Sequence, residues 1–245
     1  MSRRGICASG CYLPRLCAGT PEACLMRPKA YYPIFADLNG RRCVVIGGGL
    51  VAQRKVTTLL RYGGDITVVS PTAAARLRGY ARRGRIRWVA RRFRPGDLQG
   101  AWLIYAATDD EALNAQVYRA ATRRRIFTNV VDQKPLCSFI APAIAARGPL
   151  TVAVSTGGVS PSLAKKLRRE LASTLGDRYG GMLRLLADLR GVAKRRLPRY
   201  QDRKRYFDRL VNGPVFALMQ TGRAGRARRA ALDELSREAA RRAKS

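Results

Sequence analysis

The stretch RCVVIGGGLVAQRK, residues 42–55, joins a short apolar run to a glycine-rich turn and then to a helical pattern. Residues 42–46 predict a buried strand, and apolar residues spaced three and four apart after the glycines predict a helix. Residues 65–69, DITVV, predict a second strand, which Ser70-Pro71 ends. A strand–helix–strand unit of this length indicates two parallel strands joined by a right-handed crossover.

The same alternation continues along the chain. We predict strands at 86–89, 101–107 and 126–131, and helices at 73–83 and 110–124. Further on, two strands at 138–141 and 150–155 flank the turn Arg147-Gly148-Pro149, and helices follow from Pro161 to Leu175 and from Gly180 onward. The predicted fold class is therefore α/β. A Rossmann-type parallel sheet (30–141) precedes a small α+β region (142–176) and a helical region (177–245).

Charge and composition limit the kinds of catalysis and ligand binding that we expect of this chain. Among 245 residues, 48 are Lys or Arg, 16 are Asp or Glu and none is His, so the net charge is +32. The lack of His excludes His-based acid–base catalysis, His triads and His metal ligands. The charge would attract nucleic acid, an acidic membrane or a polycarboxylate ligand, and alone it does not choose among them. With no apolar run of eighteen residues, we expect no membrane span.

Four of the six cysteines lie within the first 24 residues, at spacings that match no common zinc or iron–sulfur pattern. We expect no metal site there and interpret residues 1–29 as a mobile extension, with Met26 as an alternative start of the chain. Cys43 and Cys137 stand in apolar runs, which favours buried, inert thiols. Together with the lack of an apolar signal-peptide core, this predicts a cytoplasmic protein.

The pattern Gly47-x-Gly49-x-x-Ala52 fits the dinucleotide-binding fingerprint, because a strand precedes it and a helix follows. One glycine permits the tight turn, the next allows the backbone to approach the pyrophosphate, and Ala52 allows close helix–strand packing. The alternative is a turn that only packs. No acidic residue follows the second strand, and the nearest arginine is Arg76, so the fingerprint does not separate NAD from NADP.

Polar residues follow three further apolar runs. Asp132 ends the run that contains Asn129, and it is a candidate general base, the alternative being a cap of the next turn. Thr108 precedes two aspartates, for which we favour helix capping ahead of cofactor contact. Residues 155–160 offer hydroxyl and N–H groups at a helix start, suited either to a carboxylate ligand or to ordinary N-capping.

Four separated segments, in this order and spacing, resemble the precorrin-2 dehydrogenase family, which includes the N-terminal portion of siroheme synthase. They are YYPIFADLNGRRCVVIGGGLVAQRK (31–55), AATDD (106–110), RRRIFTNVVDQKPLCSFIAPAI (123–144) and TVAVSTGGVSPSLAKKLRREL (151–171). The resemblance extends over about residues 30–220.

The resemblance implies a homodimer with a central dimerisation region (142–176). The expected activity is the oxidation of precorrin-2 to sirohydrochlorin in siroheme biosynthesis with NAD as cofactor. In some members of the family, ferrous iron is then inserted as a second substrate. Asp132 would be the catalytic base. The expected cofactor-binding residues are Gly47, Gly49, Leu50, Val51, Pro71, Thr72 and Thr108, and the expected substrate-binding residues are Asn129, Ser155, Thr156, Gly157, Gly158 and Ser160.

Two other functions remain open at this point. One is a non-catalytic, NAD-responsive sensor that binds nucleic acid through the arginine-rich tail. The other is a dehydrogenase of another polycarboxylate. The tail carries Ala227, Ala231, Leu235 and Ala239 on one helical face, so we favour a solvated basic face over a nucleic-acid surface.

Overall fold

The computed structural model describes residues 30–243, and the predicted extension at 1–29 lies outside them. The chain forms two compact units, the first ending at Phe139 and the second beginning at Ile140. No helix in the described range 30–243 combines the length and the apolar character needed to cross a membrane.

The first unit is a five-stranded parallel sheet with the strand order β3-β2-β1-β4-β5. The chain adds β2 and β3 on one side of β1 and β4 and β5 on the other, so the strand order reverses between β1 and β4 while all strands stay parallel. Its elements are β1 (Arg42–Ile46), α1 (Leu50–Arg61), β2 (Asp65–Val69), α2 (Ala75–Arg82), β3 (Arg87–Val89), β4 (Leu103–Ala106), α3 (Glu111–Arg123) and β5 (Phe127–Val130), with short 3₁₀ helices at Pro95–Leu98 and Lys134–Leu136.

Helices cover both faces of this sheet. Alternate strand residues such as Val45 and Tyr105 pack on one face with Val56 of α1 and Leu77 of α2. Residues of opposite orientation, such as Ile104, pack on the other face with α3. Because a parallel sheet buried on both faces needs continuous apolar strands, the runs VVI and LIYA form its centre. The predicted Rossmann-type sheet is confirmed.

The second unit opens with an antiparallel hairpin of β6 (Ala143–Arg147) and β7 (Leu150–Val154). The prediction of a strand at 138–141 is wrong. Arg147 pairs with Leu150, so Gly148 and Pro149 form a two-residue turn, and the strand must directly precede Gly148. Residues 138 and 139 instead donate their backbone N–H groups to the carbonyl oxygen of Thr128 in the first unit's sheet.

Four helices complete the second unit: α4 (Pro161–Arg196), α5 (Tyr200–Asn212), α6 (Pro214–Gln220) and α7 (Ala224–Ala243). Gly176 interrupts α4 with φ 47°, a conformation that favours glycine. The apolar face predicted for the tail is confirmed, because Ala227, Ala231 and Leu235 are fully buried. Tyr206 of α5 donates its hydroxyl hydrogen to the carbonyl of Ala231 over 3.0 Å and ties the tail to this core.

Arginines on α5 hold two acidic residues of α7. Glu238 is 3% exposed and accepts hydrogen bonds from Arg209 and, over 3.2 Å, from Arg205. Arg209 also binds Glu234 over 2.6 Å. Burial by itself raises the pKa of Glu238, but the hydrogen bonds from Arg209 and Arg205 outweigh it and hold this pKa below its usual range. The tail is thus fixed by charge pairing as well as by its apolar face.

Replacing Glu238 by Gln should lower the free energy of unfolding by about 1–3 kcal/mol at neutral pH, because Arg205 and Arg209 lose a charged partner. The lowered pKa means that this stabilisation is present above the ordinary glutamate pKa and is lost as pH falls through the folded value. Urea unfolding followed by circular dichroism at several pH values measures both effects.

The matched control for this variant is Glu170→Gln, which removes an exposed carboxylate that lies 3.8 Å from Lys166. We expect a change of less than about 0.5 kcal/mol, because exposed ion pairs contribute little. Equal losses in the two variants would contradict a special role of the Glu238 contacts.

Candidate active site

The glycine turn after β1 lies against the ends of β2 and β4. Gly47 donates its N–H to the carbonyl of Val69 over 3.0 Å, and the carbonyl of Gly48 accepts from Ala74 over 2.8 Å. Since β1, β2 and β4 are parallel, their carboxyl ends meet at one edge of the sheet. This edge, at the reversal point between β1 and β4, is where sheets of this kind bind dinucleotides.

Two of the three glycines are required by neighbouring backbone. Gly47 has φ 115°, and a Cβ added to it would lie 2.2 Å from the carbonyl oxygen of Ala107. A Cβ on Gly48 would lie 1.9 Å from the carbonyl oxygen of Thr72. The structure therefore brings Gly47 beside Thr108 and Gly48 beside Thr72, which directly follows Pro71 in the chain. The fingerprint leaves the position of Gly48 open, so sequence reasoning missed it, although the run of three glycines was the available signal.

Gly49 differs from the other two glycines, because a Cβ added to it would meet no atom within 4 Å. It precedes α1, and no side chain of the described residues caps this helix start. The first N–H groups of α1, at Leu50 and Val51, therefore remain available to an anion. Ala52 is fully buried and allows the close helix–strand packing that the fingerprint predicts.

The hydroxyl of Thr108 holds the loop after β4. It donates to the side-chain carbonyl of Asn114 over 2.8 Å, and the Asn114 amide donates to the backbone carbonyl of Thr108 over 2.9 Å. Asp110 caps α3 by accepting from the N–H of Leu113 over 2.9 Å, which confirms the capping interpretation. Asn114 is buried and was not singled out from the sequence, since a single polar residue in a helix gives no pattern.

Asp132 lies in the turn after β5 with its side chain exposed. It has φ 60°, one of two such non-glycine residues in the described range, and Asp tolerates this left-handed conformation better than most residues. Its carboxylate makes no hydrogen bond or ion pair with residues 30–243. The alternative role as a turn cap is not seen there, because Gln133 holds the cap position of the following 3₁₀ helix.

Asn129, predicted to bind substrate, is buried in β5 and donates its side-chain amide to the carbonyl of Phe139 over 3.0 Å. The thiol of Cys137 donates to the carbonyl of Val130 over 3.2 Å. Both contacts hold the segment after Asp132 against the end of β5. The position of Asp132 therefore depends on a strand end and on these two side chains.

The predicted substrate loop at 155–160 lies in the second unit. The Ser155 hydroxyl accepts from the N–H of Gly157 over 3.1 Å, and the Thr156 hydroxyl bonds to both backbone groups of Ser160 over 3.0 Å. Ser160 caps α4 by accepting from Leu163 over 3.2 Å, which bears out the N-capping alternative. Gly157 and Gly158 have positive φ. The three hydroxyls thus shape the loop.

This loop borders a cavity of about 450 Å³ inside the second unit. Three cationic side chains of α4, Lys165, Arg168 and Arg169, line it together with Ser155, Thr156 and Gly158. Such a lining suits a ligand with several carboxylates.

Family models match three consecutive parts of the chain. A model for NAD(P)-binding matches residues 34–143, the central part of sirohaem biosynthesis protein matches 147–174, and the dimerisation region of sirohaem synthase matches 178–235. The sheet order, the glycine turn and the first of these matches define a nicotinamide-dinucleotide-binding protein.

Similar proteins narrow the class of dinucleotide-binding protein to one family. The siroheme synthase of Methylococcus capsulatus is 44% identical over 203 residues, which cover 83% of this chain and 43% of the relative. Siroheme synthase 1 of Serratia proteamaculans is 42% identical over 199 residues, which cover 81% and 42%. The chain spans less than half the length of these relatives. The solved structure of SirC, a precorrin-2 dehydrogenase, superposes with a TM-score of 0.68 at 26% identity and covers 84% of this chain and 100% of its own.

The chain belongs to the family of precorrin-2 dehydrogenases and of the corresponding part of the siroheme synthases, as its four segments indicated. These matches also support NAD as the cofactor.

Gly49→Ala should leave the thermal unfolding temperature nearly unchanged, because its Cβ meets only open space, yet weaken NAD binding by about tenfold by obstructing the pyrophosphate. Gly48→Ala, the matched comparison, should lower the unfolding temperature, because its Cβ would overlap the carbonyl oxygen of Thr72. Calorimetry and NADH fluorescence titration measure the two quantities. Unchanged NAD affinity in Gly49→Ala would show that the turn only packs.

Proposed function

We propose that this chain oxidises precorrin-2 to sirohydrochlorin, with NAD as the hydride acceptor, in siroheme biosynthesis. The observation that carries the proposal is the pairing of a dinucleotide-type turn after β1 with an exposed carboxylate, Asp132, after β5. The family membership supports it, and the neighbour SirC is a precorrin-2 dehydrogenase.

The residues present fit NAD. The backbone of Gly47 and Gly49 and the N–H groups of Leu50 and Val51 would hold its pyrophosphate at the start of α1. Pro71 and Thr72, at the end of β2, lie on the side where the adenosine half is bound in folds of this type. When bound, NAD supplies the hydride acceptor.

Asp132 supplies the base that the reaction needs. Removal of a hydride from precorrin-2 leaves a cation that must also lose a proton. The chain contains no histidine, and the Asp132 carboxylate is exposed and hydrogen-bonded to none of the described residues, so it can accept that proton.

Substrate recognition falls, in this proposal, to the second unit's cavity. Precorrin-2 carries eight carboxylates, and Lys165, Arg168 and Arg169 offer them positive charge. The backbone N–H groups of the 155–160 loop, including Gly157 and Gly158, would add hydrogen bonds at the start of α4. Asn129 keeps a supporting role through the carbonyl of Phe139.

We further propose a homodimer located in the cytoplasm. The dimerisation model matches 178–235, and α4 exposes Leu163, Leu167 and Leu171 at four-residue spacing, so the proposed dimer surface includes region 142–176 and extends into the C-terminal helices. The buried Cys43 thiol suits a reducing compartment.

Insertion of ferrous iron as a second substrate remains a proposal for this chain. It would require the loss of protons from pyrrole nitrogens, which a carboxylate such as Asp132 can accept. The alternative of a sensor that binds nucleic acid receives no support from the comparisons, and Arg228 and Arg241 of the tail pair with acidic residues of the second unit.

Asp132→Asn should reduce NAD-dependent oxidation of precorrin-2 by about 10²–10⁴-fold, since it removes the base but keeps the shape of the side chain. Anaerobic incubation with precorrin-2 and NAD, followed through the sirohydrochlorin spectrum, measures the loss. Ferrous ion added afterwards tests chelation in the same sample. Asp65→Asn, which alters an exposed carboxylate at the start of β2, is the control. Full turnover by Asp132→Asn would remove Asp132 from the mechanism.

Leu167→Glu should convert the homodimer to monomer, because it places a charge in the centre of the exposed leucine row of α4. Sedimentation velocity measures the mass of the particle. Ile34→Glu, at an exposed apolar residue of the first unit outside the proposed surface, should leave the dimer intact. A monomer from Ile34→Glu together with an intact dimer from Leu167→Glu would contradict the proposed surface.

A further inference from the structure

A second cavity of the second unit is lined by residues of α5 and α7. Its volume is about 850 Å³, within the range of sites that hold small molecules. The lining contains the carboxylates of Asp202 and Glu238 and the arginines Arg199, Arg205, Arg209, Arg241 and Arg242. The cavity therefore carries an excess of positive charge. It shares no residue with the glycine turn or with the 155–160 loop.

Buried carboxylates hold three of these arginines in place. Arg205 lies 2.5 Å from Asp202 and 3.2 Å from Glu238. Arg209 pairs with Glu238, and Arg241 lies 3.4 Å from the same carboxylate. Asp202 and Glu238 are only 5% and 3% exposed, so their ion pairs are part of the packed structure of this unit.

The other two arginines are not paired in this way. Arg199 and Arg242 are exposed, and neither forms an ion pair with a described side chain. Arg199 directly precedes α5, whose start is capped by no described side chain. The N–H groups of the first turn, at Tyr200 and Gln201, have no partner inside the helix and lie at the positive end of its dipole. Both arginines and this helix start are thus available to an anion in the cavity.

Asp202 gives independent evidence for a bound molecule. Its Oδ1 accepts a hydrogen bond from Arg205, whereas its Oδ2 is buried and accepts none from the described residues. Buried polar atoms nearly always have a hydrogen-bond partner. Because Asp202 borders the cavity, a hydroxyl or amino group of a ligand can supply this missing hydrogen bond.

We infer that this cavity binds a small molecule that carries a polyphosphate group. Arginine forks and helix N-termini both suit phosphate oxygens. A polyphosphate concentrates its negative charge in one place, as Arg199 and the start of α5 concentrate positive charge, whereas a tetrapyrrole distributes its carboxylates around a ring.

Two features favour a nucleotide over inorganic polyphosphate as the source of this group. The ring of Tyr200 is 67% exposed and offers a surface on which a planar base can stack. The Oδ2 atom of Asp202 can accept a hydrogen bond from a hydroxyl or amino group, which a nucleotide has and a fully ionised polyphosphate lacks.

The test is isothermal titration calorimetry of the full chain with ATP and with tripolyphosphate, in saturating NAD so that the glycine turn is occupied. We expect saturable binding of ATP, and binding of tripolyphosphate that is about tenfold weaker. In the double variant Arg199→Gln/Arg242→Gln, the affinity for ATP should fall by about tenfold or more, because two charge-assisted contacts are lost. Its unfolding temperature without ligand should stay unchanged, since both arginines are exposed.

The matched control is Arg226→Gln/Arg229→Gln, which removes two exposed arginines of α7 that do not line the cavity. The two double variants have the same net charge, so non-specific attraction of an anion falls equally in both. We expect wild-type affinity for ATP in this control. Tyr200→Leu should weaken the binding of ATP and leave that of tripolyphosphate unchanged, because only ATP has a ring.

Equal losses in the two double variants, or no saturable binding of either phosphate, would overturn the inference. Binding of sirohydrochlorin in place of the phosphates, with the same dependence on Arg199 and Arg242, would also overturn it. Equal affinities for ATP and tripolyphosphate would contradict the preference for a nucleotide.

Discussion

The close approach of backbone at the glycine turn is the constraint on which the first unit depends. The end of β2 reaches Gly48 so closely that even a methyl group would overlap the Thr72 carbonyl, and the end of β4 does the same to Gly47. Three strand ends can meet at this point because these positions lack side chains. Open space remains at Gly49, next to the start of α1, which no side chain of the described residues caps. An anion can bind there.

The end of β5 determines the position of Asp132. Asp132 comes directly after β5 in a left-handed turn, and Asn129 and Cys137 secure the chain on either side of it. Both side chains donate hydrogen bonds to backbone carbonyls, and the carboxylate of Asp132 is exposed. The glycine turn after β1 and the exposed carboxylate after β5 thus both follow the carboxyl ends of strands of one parallel sheet.

Much of this architecture could be predicted from sequence, because its signals are local. Periodicity gave every strand of the first sheet, and the glycines gave the turn. The strand expected at 138–141 failed because apolar character alone cannot show that a two-residue turn at Gly148-Pro149 sets the register of the hairpin. Gly48 and Asn114 were missed for a different reason. Gly48 is required by the backbone of Thr72, which is distant in sequence, and Asn114 by hydrogen bonds with Thr108 across the start of a helix, and one sequence displays neither contact.

The hydrogen bonds of the 155–160 loop help to show which part of the net charge of +32 is placed to meet a ligand. Ser155, Thr156 and Ser160 are engaged within their own turn, so a polycarboxylate would be recognised mainly by cations and backbone N–H groups. The cationic side chains differ in whether a ligand could pair with them. The arginines of α5 and of the tail that face Glu234 and Glu238 form structural ion pairs, whereas Lys165, Arg168 and Arg169 line a cavity. In the proposed function, the charge that recognises the ligand is therefore the small fraction that borders this space, and total charge is a poor guide to the ligand.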